Sequence, residues 1–240
     1  MIPALSRTHG AELMDRPDVP ATDLSQGLAD LRWVNRWLGG TRAALLSVIP
    51  LLGEVEGGDL HVLDVATGSG DIPLALARRA RRERIPVRIL AIDLHPETVS
   101  EARRVVAGEP TIEVARADAL ALDFAPGEFH IAMCHTALHH FDAPDAVRLL
   151  AGLARVASRA VVVTDLRRSR AALAGVKLLS GTVWRDHPVT RHDGLVSVRS
   201  AFTPSEAARL AQEAGLPSPR VRTHPLFRFS LVSRVSGEER

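Results

Sequence analysis

The stretch Val62-Leu63-Asp64-Val65-Ala66-Thr67-Gly68-Ser69-Gly70-Asp71-Ile72-Pro73 decides how the rest of the chain is read. A short apolar run enters a turn of small residues, and an Ala-, Leu- and Arg-rich segment of helical character leaves it. Strand, glycine turn and helix in that order aim the free N–H groups of the helix start at one point, where a ligand can sit. Gly68 and Gly70 permit unusual φ values and remove the Cβ that would keep a ligand off the backbone. Asp64 sets a carboxylate at the carboxyl end of the strand. A pyrophosphate would be repelled there, whereas an ammonium group would be held. The third glycine of a dinucleotide turn, G-x-G-x-x-G, would fall at Pro73. The turn therefore favours S-adenosylmethionine (SAM), a sulfonium with an amino-acid tail, over a nicotinamide dinucleotide.

Outward from this turn, strand-like and helix-like segments alternate. Strands are expected at Leu60–Ala66, Val87–Ile92, Thr111–Ala115, Phe129–Cys134 and Ala160–Thr164, with helices at Asp71–Arg82, Pro96–Ala107 and Ala143–Ala157. Such alternation implies a parallel sheet covered on both faces, with ligands outside the carboxyl ends of its strands. Asp64, Asp93, Asp118, His135 and Asp165 all fall at those ends. Asp93 is placed to accept hydrogen bonds from both ribose hydroxyls, its bland alternative being a helix cap. Asp118, with the Ala119 N–H, is placed to meet the adenine amino edge.

The flanks differ. Residues 1–20 are polar and punctuated by Pro3, Pro17 and Pro20, and their start is expected to be mobile. Residues 22–52 carry Leu24, Leu28, Leu31, Val34, Trp37 and Leu38 at helical spacing, broken at Gly39-Gly40, which predicts a helical cap over one end of the sheet. Within it, Asn35 and Arg36 are either a polar flank or face the cofactor. After Asp165 the rhythm fails. Residues 166–201 hold a weak helical stretch, Ala171–Leu179, and then Trp184-Arg185-Asp186-His187-Pro188-Val189-Thr190-Arg191-His192-Asp193-Gly194. That run is too polar for a core and too rich in Trp, His and Arg for a passive linker. We expect it to be a mobile lid. Phe202-Thr203-Pro204-Ser205-Glu206 reads as a capping box opening a helix to Ala214, and Arg220–His224 and Phe227–Val232 read as two closing strands. All 240 residues then make one domain: cap 22–52, cofactor core 60–165, lid 166–201, and helix and strands 202–240.

Composition narrows the partners. The net charge is +2, and Lys177 is the sole lysine, so arginine is the positive charge and it is spread along the chain. Nucleic-acid surfaces need clustered charge and stacking aromatics, which argues against an RNA substrate. The one dense run, Arg78 to Arg84, reads as a solvated helix end. Cys134 stands alone, which excludes an internal disulfide. No apolar run is long enough to span a bilayer and no signal peptide is evident, so the expected compartment is the cytoplasm. A homodimer is left open.

The quoted turn, followed by Ala91-Ile92-Asp93-Leu94, Ala117-Asp118-Ala119 and Ala137-Leu138-His139-His140-Phe141, resembles the successive motifs of class I SAM-dependent methyltransferases. The nearest type is that of ubiquinone/menaquinone biosynthesis and related small-molecule (polyketide/phenol) enzymes. The resemblance covers residues 30–165. It departs at His130, where the family usually has Asp, and at Ser158-Arg159, in place of Lys-Pro-Gly-Gly. It implies a Rossmann-like α/β fold: a seven-stranded doubly wound sheet, mostly parallel, with an antiparallel last strand. It further implies that Asp64 holds the ammonium of SAM, that Ala66, Gly68 and Gly70 line the methionine, and that Asp93 with Leu94 binds the ribose. Asp118 and Ala119 would take the adenine, with His135 and Thr136 covering the cofactor.

The expected activity is methyl transfer to the oxygen or an activated ring carbon of a small aromatic or polyketide-like phenol. The alternatives are a SAM-binding protein of this fold that does not methylate, such as a cyclase or regulator, and a nicotinamide oxidoreductase. Methyl transfer needs an aligned nucleophile and often a base, and histidine titrates in the right range. His139 and His192 are the candidate bases, with Trp184 and Arg191 as acceptor contacts. No metal is expected, because His139 and His140 are adjacent and need not converge.

Overall fold

The structure is a computed structural model that describes residues 5–16, 18–53 and 58–235. The expected mobility of the chain's start falls partly on residues 1–4, which lie outside the described residues. Two helices come first, α1 (Ala21–Trp37) and α2 (Gly40–Leu52). Then β1 (Leu60–Val65), α3 (Asp71–Arg82), β2 (Val87–Asp93), α4 (Pro96–Val106) and β3 (Ile112–Arg116) alternate. They are followed by β4 (Phe129–His135), a 3-10 turn at Leu138–His140, α5 (Ala143–Val156) and β5 (Ala157–Leu166). The chain closes through α6 (Arg170–Gly181), α7 (Pro188–Ser200), α8 (Pro204–Glu213), β6 (Arg220–His224) and β7 (Arg228–Arg234).

The seven strands form one sheet in the order β3-β2-β1-β4-β5-β7-β6. Pairing is parallel from β3 to β5, and β7 runs antiparallel to both β5 and β6. The expected doubly wound, Rossmann-like sheet with an antiparallel last strand is what the chain forms. Period-two alternation splits each strand between two cores. Leu63, Val65, Ala132, Cys134, Val161 and Val163 pack with α5 and α8 on one face. Leu60, Val62, Ile131, Met133 and Val162 pack with α2, α3 and α4 on the other. Strands buried on both sides read as continuous apolar runs, which is why β1, β4 and β5 stand out in the sequence. The chain order reverses between β1 and β4, and the carboxyl ends there open a crevice.

Residues 166–201 depart from expectation. They fold into two helices packed on each other through Ala172, Val176, Trp184 and Val198, with Val34 of α1 and Phe227 against them. Trp184 is buried, and Trp33 meets it edge-on at 6.4 Å between ring centroids. Where one weak helical stretch was expected, two packed helices stand. The helix α7 was hidden in the sequence because its inward face is polar. Asp193, Ser197 and Ser200 are buried, and they bind the N-terminal segment that lies across them. Leu13 and Met14 donate their backbone N–H groups to the Asp193 carboxylate at 2.7 and 3.0 Å, and Thr8 donates its own to the Arg199 carbonyl. Arg7 reaches the carbonyl of Phe141 at 2.6 Å and stacks over Phe202. Residues 5–16 thus form a strap that fastens α7 to the 3-10 turn.

Candidate active site

A cavity of about 650 Å³ fills the crevice at the carboxyl ends of β1, β2, β4 and β5, walled by α1, α6, α7 and the strap. Its two ends differ in chemistry.

One end is acidic. Asp64 is buried, its Oδ2 accepts from Thr67 Oγ1 at 2.6 Å, and its Oδ1 has no partner among the described residues. Burial, with Asp71 and Asp93 nearby, pushes its carboxyl up to about 7 against the Thr67 hydrogen bond. Asp93 accepts from the Gly68 N–H at 3.0 Å and from the His95 N–H at 3.2 Å, tying the glycine turn to the start of α4 while still lining the cavity. The alternative reading of Asp93 as the cap of α4 does not fit, since His95 holds the N-cap position. Asp118, exposed, accepts from the Leu120 N–H at 2.8 Å and lines the cavity with Leu94 and Ala119. Ala66 and Thr136, at the ends of β1 and β4, hold φ at +56° and +53°, a strained conformation for residues with a Cβ. His135 hydrogen-bonds Thr164 through Nδ1 at 2.8 Å, and burial lowers it to about 3, so it is neutral.

The two glycines separate. Gly68 (φ +58°) faces the cavity, and a Cβ there would meet only Leu31 Cδ2 at 3.8 Å. Gly70 (φ +74°) does not line the cavity. A Cβ on it would press Val106 Cγ1 at 3.1 Å, so its absence serves the packing of α4, which corrects the expected ligand contact. Asn35 resolves toward the cofactor side: it is buried, lines the cavity and donates to Asp71 Oδ2 at 3.1 Å. Arg36 does not line the cavity.

Arg228 was not singled out in the sequence. It is 1% exposed, lines the cavity, and donates from Nη1 to Thr136 Oγ1 at 3.1 Å. Its Nη2 has no partner among the described residues, and burial lowers it only to about 10, so it stays charged. The available signal was an arginine between Phe227 and Phe229 in a strand pattern that implies burial. Asp64 and Arg228 therefore bring an unpartnered acid oxygen and an unpartnered guanidinium nitrogen to the same cavity. An amino-acid zwitterion needs that pair, and the residues fit SAM.

The other end is apolar, lined by Leu24, Leu28, Val176, Leu179, Trp184 and Phe141. One corner of it is charged. His139 is buried, its Nδ1 lies 2.7 Å from Asp165 Oδ1, and its backbone N–H donates to Asp165 Oδ2 at 2.8 Å. Its Nε2 faces Glu12 Oε1 at 3.4 Å, and Ser197 Oγ donates to the same oxygen at 2.5 Å. Burial opposes charge on both groups, yet their pairing prevails. Asp165 and Glu12 raise His139 to about 10, while His140 and His139 hold Glu12 down at about 2. His139 thus carries its proton at neutral pH in this arrangement, which is the opposite of what a free base requires.

His192 and Arg191 are corrections. Neither lines the cavity; His192 is 46% exposed and pairs with Asp193 at 2.9 Å, and Arg191 donates to the Arg185 carbonyl at 3.1 Å. They lie on the outer turn of α7, whose polar inward face misled the reading. Glu12 was missed because a lone acid in a polar N-terminal stretch carries no periodic or motif signal.

A doubly wound sheet with acids at successive strand ends, a glycine turn and a zwitterion-binding pair defines an enzyme for an adenosine cofactor with an amino-acid tail. Comparison with known proteins names the class further. Residues 62–159 match the family model described as a methyltransferase domain. The 2-phytyl-1,4-naphtoquinone methyltransferase of Thermosynechococcus vestitus is 30% identical over 69% of this chain and 75% of its own length. Among solved structures, a SAM-dependent methyltransferase from Aquifex aeolicus shares the fold at a TM-score of 0.62 and 17% identity, over 87% of this chain and 98% of that one. The C-methyltransferase domain of the citrinin polyketide synthase does so at 0.58 and 13%, over 75% and 48%. This chain belongs to the SAM-dependent methyltransferases, and it is an enzyme of the small-molecule type. Among the described residues no helix is long and apolar enough to cross a membrane.

Proposed function

We propose that this enzyme methylates a small aromatic phenol, of naphthoquinol or polyketide type, on the phenolic oxygen or on a ring carbon that the phenolate activates. One observation carries the reading: a single cavity joins a zwitterion-binding acidic end to an apolar end with a charged corner. The naphthoquinone named for the Thermosynechococcus relative supports the acceptor class. When bound, SAM supplies a methyl group on a sulfonium. Asp64 holds its ammonium and Arg228 its carboxylate, with Ala66, Gly68 and Thr136 lining the methionine. Asp93 with Leu94 takes the ribose, Asp118 with Ala119 the adenine, and His135 covers the cofactor. Trp184, Leu28, Val176 and Phe141 hold the ring of the acceptor and exclude water. Asp165 occupies the Nδ1 side of His139, so only Nε2, beside Glu12, is left to meet the acceptor's hydroxyl. Holding that hydroxyl fixes the line of attack, which is where a displacement gains most.

The test incubates the enzyme with methyl-labelled SAM and a panel of phenols including a 1,4-naphthohydroquinone, and locates the label by NMR. Label on a phenolic oxygen or ring carbon supports the reading. Label passing only to amines or thiols overturns it.

A further inference from the structure

We propose that Glu12, His139 and His140 bind one divalent transition-metal ion, with Zn²⁺ the cation whose ligand preferences they match. The inference goes beyond the methylation reading and does not depend on it; a bound ion would occupy His139 Nε2 and take over from it the holding of the acceptor's hydroxyl. The two adjacent histidines do converge, because the 3-10 turn at Leu138–His140 brings their rings together, 4.4 Å between centroids and tilted by 39°, under the strap that delivers Glu12. One atom from each of the three residues lies within 4.8 Å of the others.

Each imidazole is tight on one side and loose on the other. His139 Nδ1 lies 2.7 Å from Asp165, and His140 Nδ1 lies 2.8 Å from Asp15, ordinary lengths for charge-assisted hydrogen bonds. Because carboxylates accept, both Nδ1 atoms donate, and each Nε2 points inward, where either a proton or a cation must take up its lone pair. There His139 Nε2 stands 3.4 Å from Glu12 Oε1 and His140 Nε2 stands 3.8 Å from Glu12 Oε2. Those gaps exceed a hydrogen bond but approach the edge of a zinc tetrahedron, about 3.3–3.5 Å for ligand bonds of about 2.0–2.1 Å. Two lone pairs facing one carboxylate require positive charge between them, either two protons or one divalent cation. The outer partners are those of a metal site: a carboxylate behind each histidine, and the Ser197 hydroxyl on the glutamate. All three ligands line the cavity, so a fourth position opens toward the acceptor end.

The test uses the full chain, stripped with a chelator and titrated with Co²⁺ alone while its visible absorption is followed. One saturable equivalent, bleached by Zn²⁺, is expected. Glu12→Gln and His140→Ala should each weaken Co²⁺ binding at least about a hundredfold. Asp15→Asn, which leaves all three ligands in place at a half-exposed site, should weaken it about tenfold and guards against a ligand variant that fails to fold. A protein that takes up no saturable equivalent overturns the proposal, as does binding equally tight in the wild type and all three variants. No methyl transfer enters the readout, so failure of the methylation assay and failure here are separate results.

Discussion

Asp64→Asn tests the cofactor end with little change in shape. Asp64 Oδ1 is buried with no partner among the described residues, and its carboxyl sits at about 7 because burial and neighbouring acids oppose its charge. A bound ammonium would reverse that opposition and select the ionised form. Removing the charge should cost about 1.5–3 kcal/mol, a loss of roughly 10- to 150-fold in affinity for S-adenosylhomocysteine. The pH dependence has a definite sign. Below about 7 the carboxyl of the free enzyme is protonated and must lose its proton on binding. With half ionised at pH 7 and about 3% at pH 5.5, wild-type affinity should fall roughly fifteenfold between them, while the ligand's ammonium stays charged. Calorimetry in buffers of different ionisation enthalpy should show proton release near pH 6.5, and Asp64→Asn should lose both effects. Wild-type affinity that is flat or rises toward pH 5.5, or a variant within threefold of wild type at pH 7, would refute the assignment.

Other outcomes follow from the same geometry. Without ligand, Asp64→Asn should be the more stable protein above pH 7. The folded carboxyl is raised over its unfolded value near 4, so ionising it costs the fold a few kcal/mol, and the melting temperature reads that difference. Gly68→Val should abolish S-adenosylhomocysteine binding and, strained at a positive φ, lower the melting temperature moderately, whereas Gly70→Val should unfold the protein, since its Cβ would in addition press on Val106. His192→Ala should leave turnover within twofold of wild type. His139→Ala should lower it about a hundredfold with cofactor affinity unchanged, measured by labelled transfer and calorimetry in parallel.

The sheet was legible because strands buried on both faces and helices with one apolar stripe leave strong periodic signals, as β1, α3 and β4 do. The candidate cofactor end was legible because its residues sit at the ends of such strands, and the meeting of Asp64, Asp93 and Asp118 at one cavity could be placed by counting. The acceptor end follows a different logic. Asp193 and Ser197 look like surface residues of a loose segment, yet they are buried because the strap brings backbone N–H groups and Glu12 to meet them. That match pairs residues separated by 179 positions or more, and neither side shows it alone. The same holds for Arg228, whose place is set by β7 entering beside β5.

The most direct measurement is a crystal structure with S-adenosylhomocysteine. The account predicts the ammonium on Asp64, the carboxylate on Arg228, the ribose on Asp93 and the sulfur facing the space bounded by Trp184, His139 and Glu12. A ligand with its adenosine at the Trp184 end, or its sulfur turned away from His139, would contradict it.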